Sequence, residues 1–438
     1  MEKRADIISL GCRLNAVESE TMRRLAREAG VKDAVVINSC AVTNEAVRQV
    51  RQRIRRARRE RADAAIIVTG CAAQIDPESF AAMDDVDFVI GNQEKLDPAA
   101  WRGLAENAPA EIQVNDIMSV RETAGHLIDG YGDRARAFLQ VQNGCDHRCT
   151  FCIIPFGRGP ARSAPIDAVV DQARALVDAG HRELVLTGVD ITSYGCDLDG
   201  NPPLGRLVSA VLDKVPALYR LRLSSVDGAE IDDELFERLT GDERVAPYLH
   251  LSLQSGDNMI LKRMKRRHSR EQAIELCAAL RERRPEIAFG ADVIAGFPTE
   301  TEEMFQNSLD IIDEAGLQYC HVFPFSPRDG APAARMPQTP RAIVKERAAR
   351  LRAKGEAARR RFFETLVGGR YDAILESGGR ARLANFAPVA LEQTRTLTQD
   401  DTAPDYTDRA GRVGDVVSVA VTAHRDDTLI GACHGRAA

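Results

Sequence analysis

Four short apolar runs, "ADIISL", "AVVIN", "AIIVTG" and "VDFVI", alternate with charged, helix-patterned stretches before residue 135. Alternation of this kind restricts the segment to an α/β layer, a doubly wound parallel sheet with helices on its faces. The first three runs each lead into a cysteine: Cys12 in "SLGCRLN", Cys40 in "INSCAVTN" and Cys71 in "VTGCAAQ". Strand C-termini of an open parallel sheet share one edge, where ligands bind, so these three distant residues are expected to form one cluster.

The alternation continues downstream in "AFLQVQ", "ELVLTG", "YRLRLSS", "YLHLSLQ", "FGADVIAG" and "YCHVFPF", separated by helical patterns such as "APIDAVVDQARALVDAG". Six strand and helix pairs predict a partial (β/α)6 barrel with its chemistry at the strand C-termini. A proline-rich stretch, "FSPRDGAPAARMPQTPRA", precedes a basic helix over 341–366. Beyond it, β-rich runs with Gly and Asp turns, such as "RVGDVVSVAVTAH", predict a small antiparallel β-barrel. The domains expected are therefore 1–135, 136–366 and 367–438.

A chain of 438 residues is long enough for several such cores. It has no run of about 18 apolar residues and no signal-peptide pattern at "MEKRADIISLGC", so a cytoplasmic protein without a membrane span is expected. Ten cysteines in a reducing compartment point to metal binding where they cluster and to packing where they are scattered. The net charge of −6 hides basic stretches: "RQVRQRIRRARRER" at 48–61 holds eight arginines, and "LKRMKRRHSR" and "RAIVKERAARLRAKGEAARRR" follow. Any one could be a solvated helix face; three together point to a polyanionic partner, with Arg51, Arg55, Arg58 and Arg59 as phosphate contacts.

The densest cluster is "GCDHRCTFC", where Cys145, Cys149 and Cys152 are spaced C-x3-C-x2-C after the first barrel strand. A zinc site would need a second ligand pair, which is not nearby, and His147 reads as a loop residue. Three thiolates on a four-iron cluster leave one iron open for an exchangeable ligand.

With Phe151 before its last cysteine, this spacing resembles the signature of radical S-adenosylmethionine enzymes. There the methionine amino and carboxylate groups chelate the open iron, and an electron cleaves the sulfonium to a 5′-deoxyadenosyl radical. The blocks "GCRLNAVESE", "INSCAVTNEA", "TGCAAQ", "QNGCDHRCTFCIIPFGRGPARS", "LHLSLQSGDNMILKRMKR", "DVIAGFPTETEEMF" and "HVFPFSPRDGAPAARMP" extend the resemblance to the methylthiotransferases.

That resemblance implies an N-terminal auxiliary-cluster domain, a radical barrel and a C-terminal TRAM-like barrel. It makes Cys12, Cys40 and Cys71 ligands of a second 4Fe-4S cluster that carries the transferred sulfur, and Cys145, Cys149 and Cys152 ligands of the radical cluster. S-adenosylmethionine would serve as methyl donor and radical source. Gly188, Ser224, Gln254 and Asp292, read as lying at strand ends, are the positions implied to touch it, although turn chemistry also places such residues there. "HVFPFSPRDGAPAARMP" is most like the branch acting on N6-threonylcarbamoyladenosine beside the tRNA anticodon. The partners implied are the anticodon stem-loop, an external electron donor and a sulfur source. Sister branches act on isopentenyladenosine or a ribosomal-protein aspartate; another radical enzyme and a non-catalytic iron-sulfur RNA sensor are the remaining alternatives.

Asn15 and Glu18 match family positions near the auxiliary cluster, yet their spacing also reads as a capping box, the preferred interpretation. Cys196, Cys277, Cys320 and Cys433 lack ligand spacing, and Cys277 fits a core helix. Residues 365–438 carry eight Arg and Lys against ten Asp and Glu, a net of −2, so phosphate attraction is expected mainly from the basic helices, with this barrel adding shape or a local patch.

Overall fold

A computed structural model describes residues 5–106, 112–121, 134–392 and 411–436. Its N-terminal sheet is parallel and ordered as in the chain: β1 (Asp6–Ser9), β2 (Ala34–Ser39), β3 (Ala65–Gly70), β4 (Phe88–Ile90) and β5 (Ile112–Gln113). Helices cover both faces because β2 and β3 are apolar on both sides. Val36 and Ile67 pack with Met22 and Leu25 of α1 (Arg13–Glu28) and with Trp101, whereas Ile37 and Ile66 pack with Val50 and Ile54 of α2 (Asn44–Glu60). β5 is only two residues long, too short for a hydrophobic pattern to announce.

The six central strands follow one another in chain order in two parallel sheets, the first of β6 (Ala137–Gln140), β7 (Glu183–Thr187) and β8 (Arg220–Leu223), the second of β9 (Tyr248–Gln254), β10 (Ala288–Ala295) and β11 (Tyr319–Pro324). After Leu223 the short strand Ser225–Val226 takes over the pairing with β9, which turns the layer into an open, curved half-barrel. Val17 of α1 is buried in the same core as Ala137 and Leu139, so the N-terminal unit packs on the β6 edge.

The helix Arg341–Leu366 leads into a closed five-stranded barrel. One feature departs from the antiparallel expectation: Pro388–Leu391 runs parallel to Thr428–Arg436, because closure brings together strands that are not consecutive in the chain. Phe386 of this barrel stacks on Tyr248, the first residue of β9, with ring centroids 4.9 Å apart and planes at 23°. The small barrel thus covers the N-terminal end of the central strands, opposite the Cys145 loop. Among the described residues no helix is long and apolar enough to cross a membrane.

Two cysteine triads at a candidate active site

The N-terminal cysteines occupy one sheet edge. Cys40 directly follows β2, Cys71 directly follows β3 as the first residue of α3 (Cys71–Ile75), and Cys12 precedes α1 at its N-cap position without a side-chain cap bond. Helix N-termini favour the thiolate, which suits metal ligands. Gly11 lies at φ +103°, and a Cβ there would meet the Cys40 Cβ at 2.7 Å, so only glycine lets the Cys12 loop close against Cys40. Burial pushes the Cys40 thiol up to about 11, and the charges of Cys71 and Cys12 add to the rise.

The second triad lies on a loop pinned at both ends. The Cys145 amide donates to the Gly159 carbonyl at 3.1 Å, and Thr150 donates to the carbonyls of Met264 (3.1 Å) and Arg263 (2.8 Å). Burial lifts Cys152 to about 11, helped by the neighbouring charge of Cys149. The same thiol senses Cys71 of the other triad, and a Cβ on Gly157 would lie 3.1 Å from the Cys71 Cβ. The two triads therefore face one another across the strand C-termini.

His147 is occupied elsewhere. Its contacts with Asp190 (2.8 Å) and then Glu230 (3.6 Å) raise it to about 9 and turn its ring towards these carboxylates. Each triad instead has an arginine beside it. Arg266 Nη1 lies 3.5 Å from Cys149 Sγ, and the buried Arg158 is electrostatically coupled to Cys71 and Cys12. Three soft thiols and an adjacent cation fit an anionic four-iron cluster with one open iron at each triad; the Asp190 carboxylate lies 3.8 Å from Cys145 Sγ.

Asn15 and Glu18 do not form a capping box; both are buried in a polar network that sequence spacing alone could not distinguish from one. Arg158 donates to Glu18 at 2.6 and 3.0 Å and to Asn15 at 2.6 Å, and Lys95 donates to Glu18 and Asn92 at 2.6 Å each. Asn92 in turn donates towards Cys71 Sγ at 3.8 Å. Burial alone would raise the Glu18 carboxyl, but Arg158 and then Lys95 outweigh it and hold it at about 2. Burial pushes Lys95 below its usual value, and Arg158 opposes the pull of Glu18 on it, so Arg158 is the principal counter-ion.

Glu18→Gln would leave two buried cations without their anion and should destabilise the chain by about 3–5 kcal/mol in chemical denaturation. The depressed folded value also gives Glu18 a stabilising contribution that is complete above its unfolded value of 4.5 and fades as pH falls through about 2. The variant should accordingly show a shallower loss of stability across that acid window.

The four residues expected at S-adenosylmethionine are placed unequally. Gly188 follows β7, Ser224 follows β8, and Gln254 ends β9 with φ +72°, a strained value for a non-glycine residue. Asp292 corrects the expectation of a strand end: it lies within β10, which runs on to Ala295. It accepts from His250 at 3.0 Å and pairs with His321 at 3.3 Å; burial favours its acid form, but these contacts hold it well below the usual carboxylate range.

The basic stretches are also less free than they read. Arg51 bonds Ser79 at 2.9 Å and lies 5.2 Å from the Phe80 ring centroid, and Arg58 is tied to Asp87 at 2.6 Å. Only Arg55 and Arg59 of the four expected phosphate contacts are exposed without a hydrogen bond or ion pair to described residues. A cleft of about 680 Å³ lies instead between the core and the C-terminal barrel, lined by Arg359, Arg380, Arg382 and Arg425, with Asp426 and Asp427 also present. The barrel's net charge concealed this local patch.

Comparison with known proteins bears on this arrangement. The profile of the Radical SAM superfamily matches residues 139–312, and that of Uncharacterized protein family UPF0004 matches 4–91. The threonylcarbamoyladenosine tRNA methylthiotransferase MtaB of Rickettsia prowazekii (strain Madrid E) is 51% identical over 90% of this chain and 93% of its own length. The chain belongs to the radical S-adenosylmethionine methylthiotransferase family. The methylthiotransferase of the same name from Bacillus subtilis (strain 168) is 40% identical over 75% of this chain and 74% of its own. A tRNA-2-methylthio-N(6)-dimethylallyladenosine synthase from Zymomonas mobilis is 36% identical over 91% and 94%. Among solved structures, the radical S-adenosylmethionine methyltransferase TsrM from Kitasatospora setae superposes with a TM-score of 0.51 at 16% identity, covering 72% of this chain and 69% of its own, a likeness of fold. As a methylthiotransferase the chain is an enzyme that works with S-adenosylmethionine and 4Fe-4S clusters.

Sequence reasoning missed Arg158, Lys95, Asn92 and Arg266. Arg158 and Arg266 lie inside the quoted motif blocks, but an arginine there carries no mark of being buried against thiols.

Proposed function

We propose that this enzyme acts in the cytoplasm on tRNA, replacing the C2 hydrogen of N6-threonylcarbamoyladenosine at position 37 with a methylthio group. The observation that carries the reading is the 51% identity over nearly the whole chain to an enzyme named for that nucleoside, in a chain whose cysteine triads converge. Cys145, Cys149 and Cys152 would hold the radical cluster, and Cys12, Cys40 and Cys71 the auxiliary one. Bound there, the clusters and S-adenosylmethionine supply reductive carbon–sulfur cleavage, a methyl group and the transferred sulfur, with an external electron donor and a sulfur source completing the balance.

The chain's own residues position this chemistry. Arg266 and Arg158 place fixed positive charge beside the thiolates, and Asn92 orients Cys71. Arg55, Arg59, Arg359, Arg380 and Arg425 are suited to phosphates of the anticodon stem-loop.

Mass spectrometry of tRNA nucleosides from cells lacking this chain should show N6-threonylcarbamoyladenosine accumulating while its 2-methylthio derivative disappears. Methylthiolated isopentenyladenosine should be unchanged. Loss of the isopentenyl product instead would overturn the substrate assignment.

A further inference from the structure

Among the described residues, the N-terminal end of the half-barrel carries more positive charge than its acids neutralise. Five guanidinium groups meet there: Arg13 from α1, Arg136 before β6, Arg220 and Arg222 on β8, and Arg382 from the C-terminal barrel. Two carboxylates answer them. Glu183 pairs with Arg222 at 2.8 Å and with Arg220 at 3.3 Å, and Glu376 pairs with Arg136 at 2.6 Å and with Arg382 at 2.7 Å. Asp292, the next acid towards the triads, is committed to His250 and His321.

Arg13 makes no hydrogen bond or ion pair with a described residue, although its side chain is largely enclosed. Its guanidinium carbon lies 5.9 Å from the Phe386 centroid, over the ring that Arg136 and Arg222 also approach, at 5.7 and 5.1 Å. Buried donors remain unused at the same place, since Nη1 of Arg136 and Nη1 of the 1%-exposed Arg222 have no partner among the described residues. Unpaired donors and surplus charge beside a packed aromatic ring describe a site built for an anion. Arg13 also follows Cys12 directly in the chain, so α1 begins at the N-terminal triad and carries this guanidinium to the end of the half-barrel that the small barrel covers.

The two tRNA nucleosides compared above differ in charge at this point. The threonylcarbamoyl group on N6 ends in a carboxylate that is ionised at neutral pH, whereas an isopentenyl group is uncharged. We propose that Arg13, with the free Nη1 atoms of Arg136 and Arg222, binds the carboxylate of the substrate's threonylcarbamoyl group and so selects this nucleoside. The assignment rests on the substrate reading given above and adds the residue that enforces it.

The test measures binding by the full-length holoenzyme of three stem-loop RNAs identical except at position 37. They carry N6-threonylcarbamoyladenosine, its methyl ester or plain adenosine. The wild type should prefer the free acid to the ester by about 10- to 100-fold, the size of a charge-assisted contact. Arg13→Met should bind the ester and the adenosine RNA as the wild type does and lose that preference, while Arg13→Lys, which keeps the charge without the fork, should retain part of it. A preference undiminished in a folded Arg13→Met enzyme overturns the assignment. Equal weakening towards all three RNAs also overturns it, since Arg13 would then hold a backbone phosphate common to them. Should Arg13→Met not fold, the wild type decides through the ester: equal affinity for acid and ester overturns the site. A wild type indifferent to all three nucleosides overturns the substrate reading and this assignment with it.

Discussion

Replacing Cys145, Cys149 and Cys152 with alanine should abolish both S-adenosylmethionine cleavage and tRNA methylthiolation. With two four-iron clusters the reconstituted wild type should hold about eight irons per chain, and this variant about four. Its fold should survive, because the loop is anchored by backbone bonds from Cys145 to Gly159 and from Thr150 to Met264, not by the thiols. Thermal denaturation of the metal-free variant should therefore match that of the metal-free wild type. The effect on activity is expected to be complete, since all three thiolates are lost and the Asp190 carboxylate beside Cys145 is paired with His147. Retention of about eight irons, or of 5′-deoxyadenosine formation, would refute the ligand assignment.

What could be read from the sequence was decided by period. Both parallel layers were visible because their strands are short apolar runs between helical stretches, and that same punctuation put the cysteines at strand ends. Burial of charge left no such trace. Asn15 and Glu18 have the spacing of a capping box, and only the fold, by bringing Arg158 and Lys95 onto them, makes them a network. Arg51 and Arg58 look like their exposed neighbours Arg55 and Arg59, but Ser79 and Asp87 come from elements remote in the chain. The average charge of the C-terminal barrel left open whether it adds shape or a local patch, and the fold gathers Arg380, Arg382 and Arg425 on the side facing Arg359. Asp292 was misplaced because an ionisable residue inside an apolar run reads as its end, whereas the half-barrel interior gives it two histidine partners.

Replacing Cys12, Cys40 and Cys71 with alanine should have a different outcome, which separates the roles of the triads. The radical triad stays intact in this variant, so under reduction 5′-deoxyadenosine should still form while no methylthio group reaches the tRNA. The physical reason is that cofactors carry the difficult chemistry and the protein positions them, so losing one group deletes one step rather than all. Folding is the point to secure, because these thiols lie beside the charged network joining the N-terminal sheet to the core. That network is anchored by Glu18, Arg158, Lys95 and Asn92, and removing the thiols takes from it the 3.8 Å contact of Cys71 to Asn92, the 3.7 Å contact of Cys12 to Asn15 and their attraction to Arg158, while its ion pairs stay. Cys12 is exposed, Cys40 half-buried and Cys71 buried, so the variant should unfold within about 3 kcal/mol of the wild type when both are metal-free, with most of the loss at Cys71. Iron should again fall to about four per chain, now from the other cluster. Full methylthiolation by this variant would remove Cys12, Cys40 and Cys71 from the sulfur-transfer step. Loss of 5′-deoxyadenosine from a folded variant that keeps about four irons would make the auxiliary cluster part of radical generation instead.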